Sequence, residues 1–222
     1  MNVSQALQER KSVRAYLDKP VARATMESLL ETAQRAPSGG NLQPWRTIVL
    51  TGEAKEAVVK LAQNTLSETP SGEETDRPVY PPDLWEPFRT RRFEIGEIMY
   101  DALDIPRDDK LARLGWFSRN YRFFDAPVGL FFVLDERMGH SQWAHTGMFM
   151  QSLALLATES GLGTCMQECW AILRPLLKKH LGLKPNEMVY CGMALGYPDP
   201  AHPVNQIRSP RADLQEFAEF RE

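Results

Sequence analysis

The chain is short of several things, and each shortage removes a class of function. No run of about 18 apolar residues is present, so no segment has the length of a membrane-spanning helix. The first ten residues, Met1 to Arg10, are polar and lack the apolar stretch of a secretory signal. Three cysteines cannot pair without one left over, and a reducing, cytoplasmic setting is the simpler expectation. The formal net charge is −3, which advertises no basic surface for nucleic acid or anionic lipid. His140, His145, His180 and His202 are scattered, and Cys165 and Cys169 have no second pair beside them, so no metal-ligand spacing is seen. No phosphate loop of the G-x-x-x-x-G-K-[ST] type occurs, and no G-x-S-x-G elbow. Gly161-Leu162-Gly163 begins like a dinucleotide fingerprint, but Met166 stands where the third glycine belongs.

What is present reads as one α/β domain. The 222 residues are 43% hydrophobic and 25% charged, enough to build a core. A short helix is expected from Val3 to Arg10. A second follows Pro20, with Met26, Leu29, Leu30 and Ala33 on one face. Pro37 stops it. RTIVLT (46–51) reads as a strand, 53–66 as a helix, and 67–82 as an exposed loop. Helices are expected over 84–103 and 108–121. VGLFFVL after Pro127 reads as a buried strand. Residues 143–160 are apolar nearly all round, as in a central buried helix. Strands at 164–168 and 187–195 flank the helix ILRPLLKKHL, and a proline-rich tail starts at Tyr197.

Four segments carry the chemistry. In Arg10-Lys11-Ser12-Val13-Arg14, an extended backbone sends Arg10, Ser12 and Arg14 to one side, an arrangement suited to an anion. An exposed basic turn is the plainer reading of this segment taken alone. The loop APSGGNLQPW (36–45) has glycines that let a flat ligand approach, with Ser38, Asn41 and Gln43 as polar partners. A tight helix-to-strand turn is its alternative. GLGTCMQE (161–168) could turn backbone N–H groups toward a ring edge, or be a plain strand entry. NQIRSPR (205–211) places two arginines late in what could be a solvated tail.

In this order and spacing, the four segments resemble the FMN-dependent nitroreductase family from end to end. YPPDLWEPFRTRR and NYRFFDAPVGLFF look like its nitrobenzoate and quinone reductase subgroup. The resemblance implies an α+β fold with a mixed central sheet flanked by helices, in a two-fold homodimer with FMN at the interface. It implies one domain over 1–222, with 67–121 as a lid or specificity insertion. By position, Arg10, Ser12 and Arg208 would hold the FMN phosphate. Lys11 would support the ribityl or pyrimidine side, and Arg14 would sit near the N1/O2 edge. Pro37, Ser38, Gly39, Asn41 and Gln43 would reach the partner's flavin. Cys165, Met166, Gln167 and Glu168 would face the dimethylbenzene-to-N5 side, with the Glu168 N–H near N5. Met166 departs from relatives with proline there, and His145 from relatives with a polar Gln or Asp, so its role stays open.

The implied activity is ping-pong, two-electron reduction of nitroaromatics or quinones, with NADH or NADPH as donor and a small aromatic acceptor. No side chain need be catalytic. Tyr80, Trp85, Phe88, Arg89, Phe123 and Phe124 are the residues that could receive an aromatic carboxylate or quinone, or could instead pack an interface. Flavin cleavage, reductive dehalogenation, a flavin-binding module without turnover, and an FMN-free interaction protein are the alternative readings.

Overall fold

VGLFFVL forms the centre of the molecule. In the computed structural model, which describes residues 1–73 and 78–222, it is strand β2, Val128–Asp135, and all but its last residue is buried. The other strands are β1 (Arg46–Thr51), β3 (Gly163–Gln167) and β4 (Glu187–Gly196), in sheet order β1-β2-β4-β3. All three neighbouring pairs run antiparallel. A parallel bridge from Ser12 to Thr164 adds the N-terminal segment at the β3 edge and makes the sheet mixed.

Because side chains alternate across a strand, β2 feeds two cores. Phe131 and Val133 join Phe123, Trp170 and Leu173 on one face. Leu130 and Phe132 join Phe149, Leu153 and Met193 on the other. The second core is covered by helix α2 (Arg23–Ala33) and helix α6 (His140–Glu159). The first is covered by α3 (Gly52–Glu68), α7 (Arg174–His180) and 3-10 turns at 119–125 and 168–173. Helix α1 (Val3–Glu9) packs on α6. No helix among the described residues is long and apolar enough to cross a membrane.

Several boundaries differ from the sequence expectation, each for a local reason. Helix α4 spans Phe88–Asp101, starting after Pro87, because a residue before proline is pushed out of helical angles. Helix α5 is Lys110–Ser118, since Asp109 caps it by accepting from the Ala112 N–H at 2.9 Å. Beyond it, Phe123 and Phe124 both adopt φ of 52° and fold inward. Read from the sequence as able to receive an aromatic acceptor or to pack an interface, they are 0% and 1% exposed; Phe123 is stacked obliquely on Trp170, while Phe124 contributes to the lining of a cavity. The helix expected from Ile172 begins at Arg174, with Pro175 in its first turn.

The loop expected over 67–82 starts two residues late, because α3 runs to Glu68, and residues 74–77 lie outside the described set. Its near end is docked, with the Glu73 N–H donating to the Ile172 carbonyl at 2.8 Å. The first part of the tail is not solvated either. Leu17 donates to Tyr197 and Asp199 to Ala15, at 2.9 and 3.0 Å, zipping the tail onto the N-terminal segment.

Candidate functional site

The site starts where that zip brings the chain's two ends together. Residues 10–16 run extended beside β3, with the Val13 N–H donating to the Thr164 carbonyl at 2.9 Å. Asn205 holds the other side: its Oδ1 accepts from the Arg14 N–H at 2.9 Å and its Nδ2 donates to the Ala15 carbonyl at 2.7 Å. The Lys11 ammonium donates to the Asn205 carbonyl. Arg208 caps the end of α1, donating to the carbonyls of Gln8 and Glu9.

Four cations therefore crowd one small area. Burial, and then the nearby charge of Arg211, lower the Arg10 pKa. Burial, and then Arg208, lower that of Lys11. Among the described residues none of the four has a carboxylate partner within ion-pair distance. Like charges held together without counter-charge favour an anion between them. Ser12 lies within this group, and its hydroxyl faces the Cys165 thiol.

Beside the cations opens a cavity of about 780 Å³. Its lining includes Arg14, Met166, Gln167, Glu168 and Ile207, together with Arg92, Met99, Tyr100 and Trp116 from α4 and α5. Gly147 and Met150 of α6 border it as well. The Gln167 side chain is fixed by its 2.7 Å donation to the Asn120 carbonyl. Burial raises the Glu168 pKa, and Arg174 opposes the rise. The Trp116 indole N–H is buried and has no partner among the described residues.

Not every expected residue lines this cavity. Cys165 points away, 2% exposed, and burial pushes its thiol pKa up. Cys191 is pushed up to about 12, so neither thiol has the character of a nucleophile. All three cysteines are free. Trp85 and Phe88 meet edge to face on the surface, and Arg89 pairs with Glu86 at 2.7 Å.

The 36–45 loop also lies away from the cavity of its own chain. Gly40, Asn41 and Gln43 have φ of 59°, 55° and 48°, a left-handed path. The Ser38 Oγ locks it by accepting from the Gln43 N–H at 2.9 Å. Trp45 anchors it, stacked on Phe149 at 4.9 Å. His145 sits beneath the loop, its Nδ1 3.5 Å from the Gly39 nitrogen and 3.1 Å from Gln142 Oε1. The loop is thus a preformed surface with Gly39, Asn41 and Gln43 exposed and Ser38 half-buried beneath them.

Sequence reasoning missed Asn205, Arg92 and Trp116. NQIRSPR contains Asn205, but its partners lie 190 residues upstream. The only signal for Arg92 was its position in a run of arginines.

A sheet of this order, with a cation cluster beside a large cavity and an exposed glycine-rich loop, defines a ligand-binding α+β class. Residues 7–197 match the model of the nitroreductase family. The chain belongs to that family. It is 38% identical over 218 residues to a nitrobenzene nitroreductase of Ectopseudomonas oleovorans, covering 98% of this chain and 96% of the relative. It is 37% identical to a 4-nitrobenzoate reductase of Pseudomonas putida, covering 95% and 92%. Among solved structures, the FMN and NADPH-dependent nitroreductase NfnB of Sphigopyxis sp. strain HMH superposes with a TM-score of 0.97 at 43% identity, over 100% of both chains. The FMN-dependent NfnB of Mycobacterium smegmatis, solved with NADPH, gives 0.92 at 28% identity, again over 100% of both.

Proposed function

We propose that this protein is an FMN-dependent, NAD(P)H-linked reductase of nitroaromatic compounds or quinones that works as a homodimer. The observation that carries the reading is the crowd of cations, Arg10, Lys11, Arg208 and Arg211, with no carboxylate partner among the described residues, beside the 780 Å³ cavity. That volume falls within the range of about 300–1,000 Å³ usual for cofactor and substrate sites. FMN fits the donor set. Its phosphate matches the cations and Ser12, its ring matches a cavity walled by Met166 and Trp116, and the unpartnered Trp116 N–H offers a donor. FMN and NADPH dependence in solved relatives supports the same dependence here.

Arg10, Ser12 and Arg208 hold the phosphate, joined by Arg211. Lys11, tied to the tail through Asn205, supports the ribityl or pyrimidine side. Arg14 faces the cavity near the flavin N1/O2 edge, where its permanent charge favours the reduced form. The backbone from Met166 to Glu168 flanks the N5 side, while Cys165 contributes only its main chain. Pro37, Ser38, Gly39, Asn41 and Gln43 serve the partner subunit's site. Residues 67–121 form the lid, whose α4 and α5 exclude water from one face of the cavity. When bound, FMN supplies the two-electron carrier between nicotinamide donor and aromatic acceptor.

The test is spectroscopic. Purified protein should carry a flavin absorbance that NADPH or NADH bleaches anaerobically and that nitrobenzene restores. A flavin that never bleaches would leave a binding module, and a colourless sample that takes up no added FMN would end the reading.

A further inference from the structure

Three arginines stand close together early in α4. Two are matched: Arg89 with Glu86 at 2.7 Å and Arg91 with Glu216 at 2.8 Å. The third, Arg92, has no carboxylate partner among the described residues. Its guanidinium lies 4.2 Å from the centre of the Tyr80 ring, and both residues border the cavity. Next to them the wall is apolar and aromatic, with Ile95, Met99 and Phe117. The acid on this cavity's wall, Glu168, interacts with Arg174.

A guanidinium within cation–π range of an aromatic ring is held by that ring while its in-plane N–H groups stay available. Those donors match a carboxylate in paired, bidentate fashion. An exposed guanidinium with no carboxylate partner among the described residues, at the edge of an apolar, aromatic-lined cavity, suits a ligand that is itself flat and aromatic with an anionic group at one end. Neutral nitroarenes offer it only uncharged, weaker acceptors.

We propose that Arg92 is a specificity-determining residue that recognises the carboxylate of an aromatic acceptor such as a nitrobenzoate, and that Tyr80 is a positioning residue that holds its guanidinium. The proposal rests on the nitroreductase reading above and deepens it. Arg92 selects among acceptors by charge; the electron transfer itself does not need it.

The holoenzyme is assayed with 4-nitrobenzoate, with its neutral analogue 4-nitrobenzamide, and with nitrobenzene, each at fixed NADPH, and the KM for NADPH is measured separately at a fixed acceptor concentration. In Arg92→Gln, kcat/KM for 4-nitrobenzoate should fall about tenfold or more, the usual weight of a hydrogen-bonded charge. The loss should appear in KM, with both neutral compounds within about twofold of the parent. Arg92→Lys should recover part of it, since the charge returns without the fork. Tyr80→Leu should weaken 4-nitrobenzoate in the same direction, by less. An equal loss for all three acceptors overturns the proposal and makes Arg92 a wall residue. A raised KM for NADPH with the acceptor ratio unchanged also overturns it, assigning the guanidinium to the donor's phosphates. A parent that reduces no nitroarene fails the nitroreductase reading itself, and this proposal falls with it. A parent active on nitrobenzene, with unchanged selectivity in Arg92→Gln, fails this proposal alone.

Discussion

Arg10 is the residue on which the phosphate assignment turns. It is half-buried, so its charge carries a desolvation cost, and Arg211 adds repulsion. A protein that holds such a group charged gains from an anion placed beside it. Removing Arg10 removes a charge-assisted hydrogen bond, worth about 1.5–3 kcal/mol. Arg10→Ala should therefore weaken FMN binding about tenfold or more, read by flavin fluorescence on dilution. It also relieves repulsion among its neighbours, which places the result toward the lower end of that range. Retention as tight as the parent's would show that the cluster serves another anion. Ser12→Ala is the milder comparison, since its hydroxyl already faces Cys165.

At the scale of elements, what was legible in the sequence had a local cause. β2 was readable because seven apolar residues in a row after Pro127 suit a strand buried on both faces. α2 was readable from the spacing of Met26, Leu29 and Ala33, all of which are buried. The 3-10 turns at 119–125 and 168–173 were not, because such short pieces leave no periodic pattern. Nor was the inward fold of Phe123 and Phe124, two left-handed aromatic residues that only tertiary packing can hold. The site divides in the same way. The RKSVR and APSGGNLQPW segments announce themselves by composition. The zip between Arg14 and Asn205 spans 191 positions and has no local trace.

Gly129 shows how tightly those elements fit. A Cβ added there would lie 2.7 Å from the Phe123 ring, which is fully buried and backed by Phe131 and Trp170. The ring has no free direction, so Gly129→Ala should destabilise the protein by about 1–3 kcal/mol through overpacking. A urea titration should show a lower midpoint with an unchanged slope. A midpoint equal to the parent's would mean that the 119–125 turn yields easily and is not a rigid support.

At the scale of the whole molecule, the surface carries apolar groups that the chain's own core does not use. Val3 and Leu7 on α1 are 71% and 52% exposed, and Met148 on the neighbouring α6 is 45% exposed. In the tail, Leu214, Phe217 and Phe220 are 50%, 71% and 80% exposed. Single exposed apolar residues are ordinary, but grouped ones mark an interaction surface. The Ser38–Gln43 loop, left-handed at Gly40, Asn41 and Gln43, adds polar groups that do not line the 780 Å³ cavity of their own subunit. In the proposed homodimer a second copy of the chain would account for both, covering the apolar groups and completing each cavity with the other's loop. Light scattering should then give a particle near twice the 25.3 kDa of one chain. Covering a phenylalanine is worth about 1.5–3 kcal/mol, so a Phe217→Ser, Phe220→Ser double variant should dissociate at higher protein concentration than the parent. If FMN binds the assembled form, as proposed, its release should follow the same concentration dependence, and added FMN should shift the variant back toward dimer. A monomer that keeps its flavin and its turnover would separate binding from assembly, and the loop would then have to act within its own subunit.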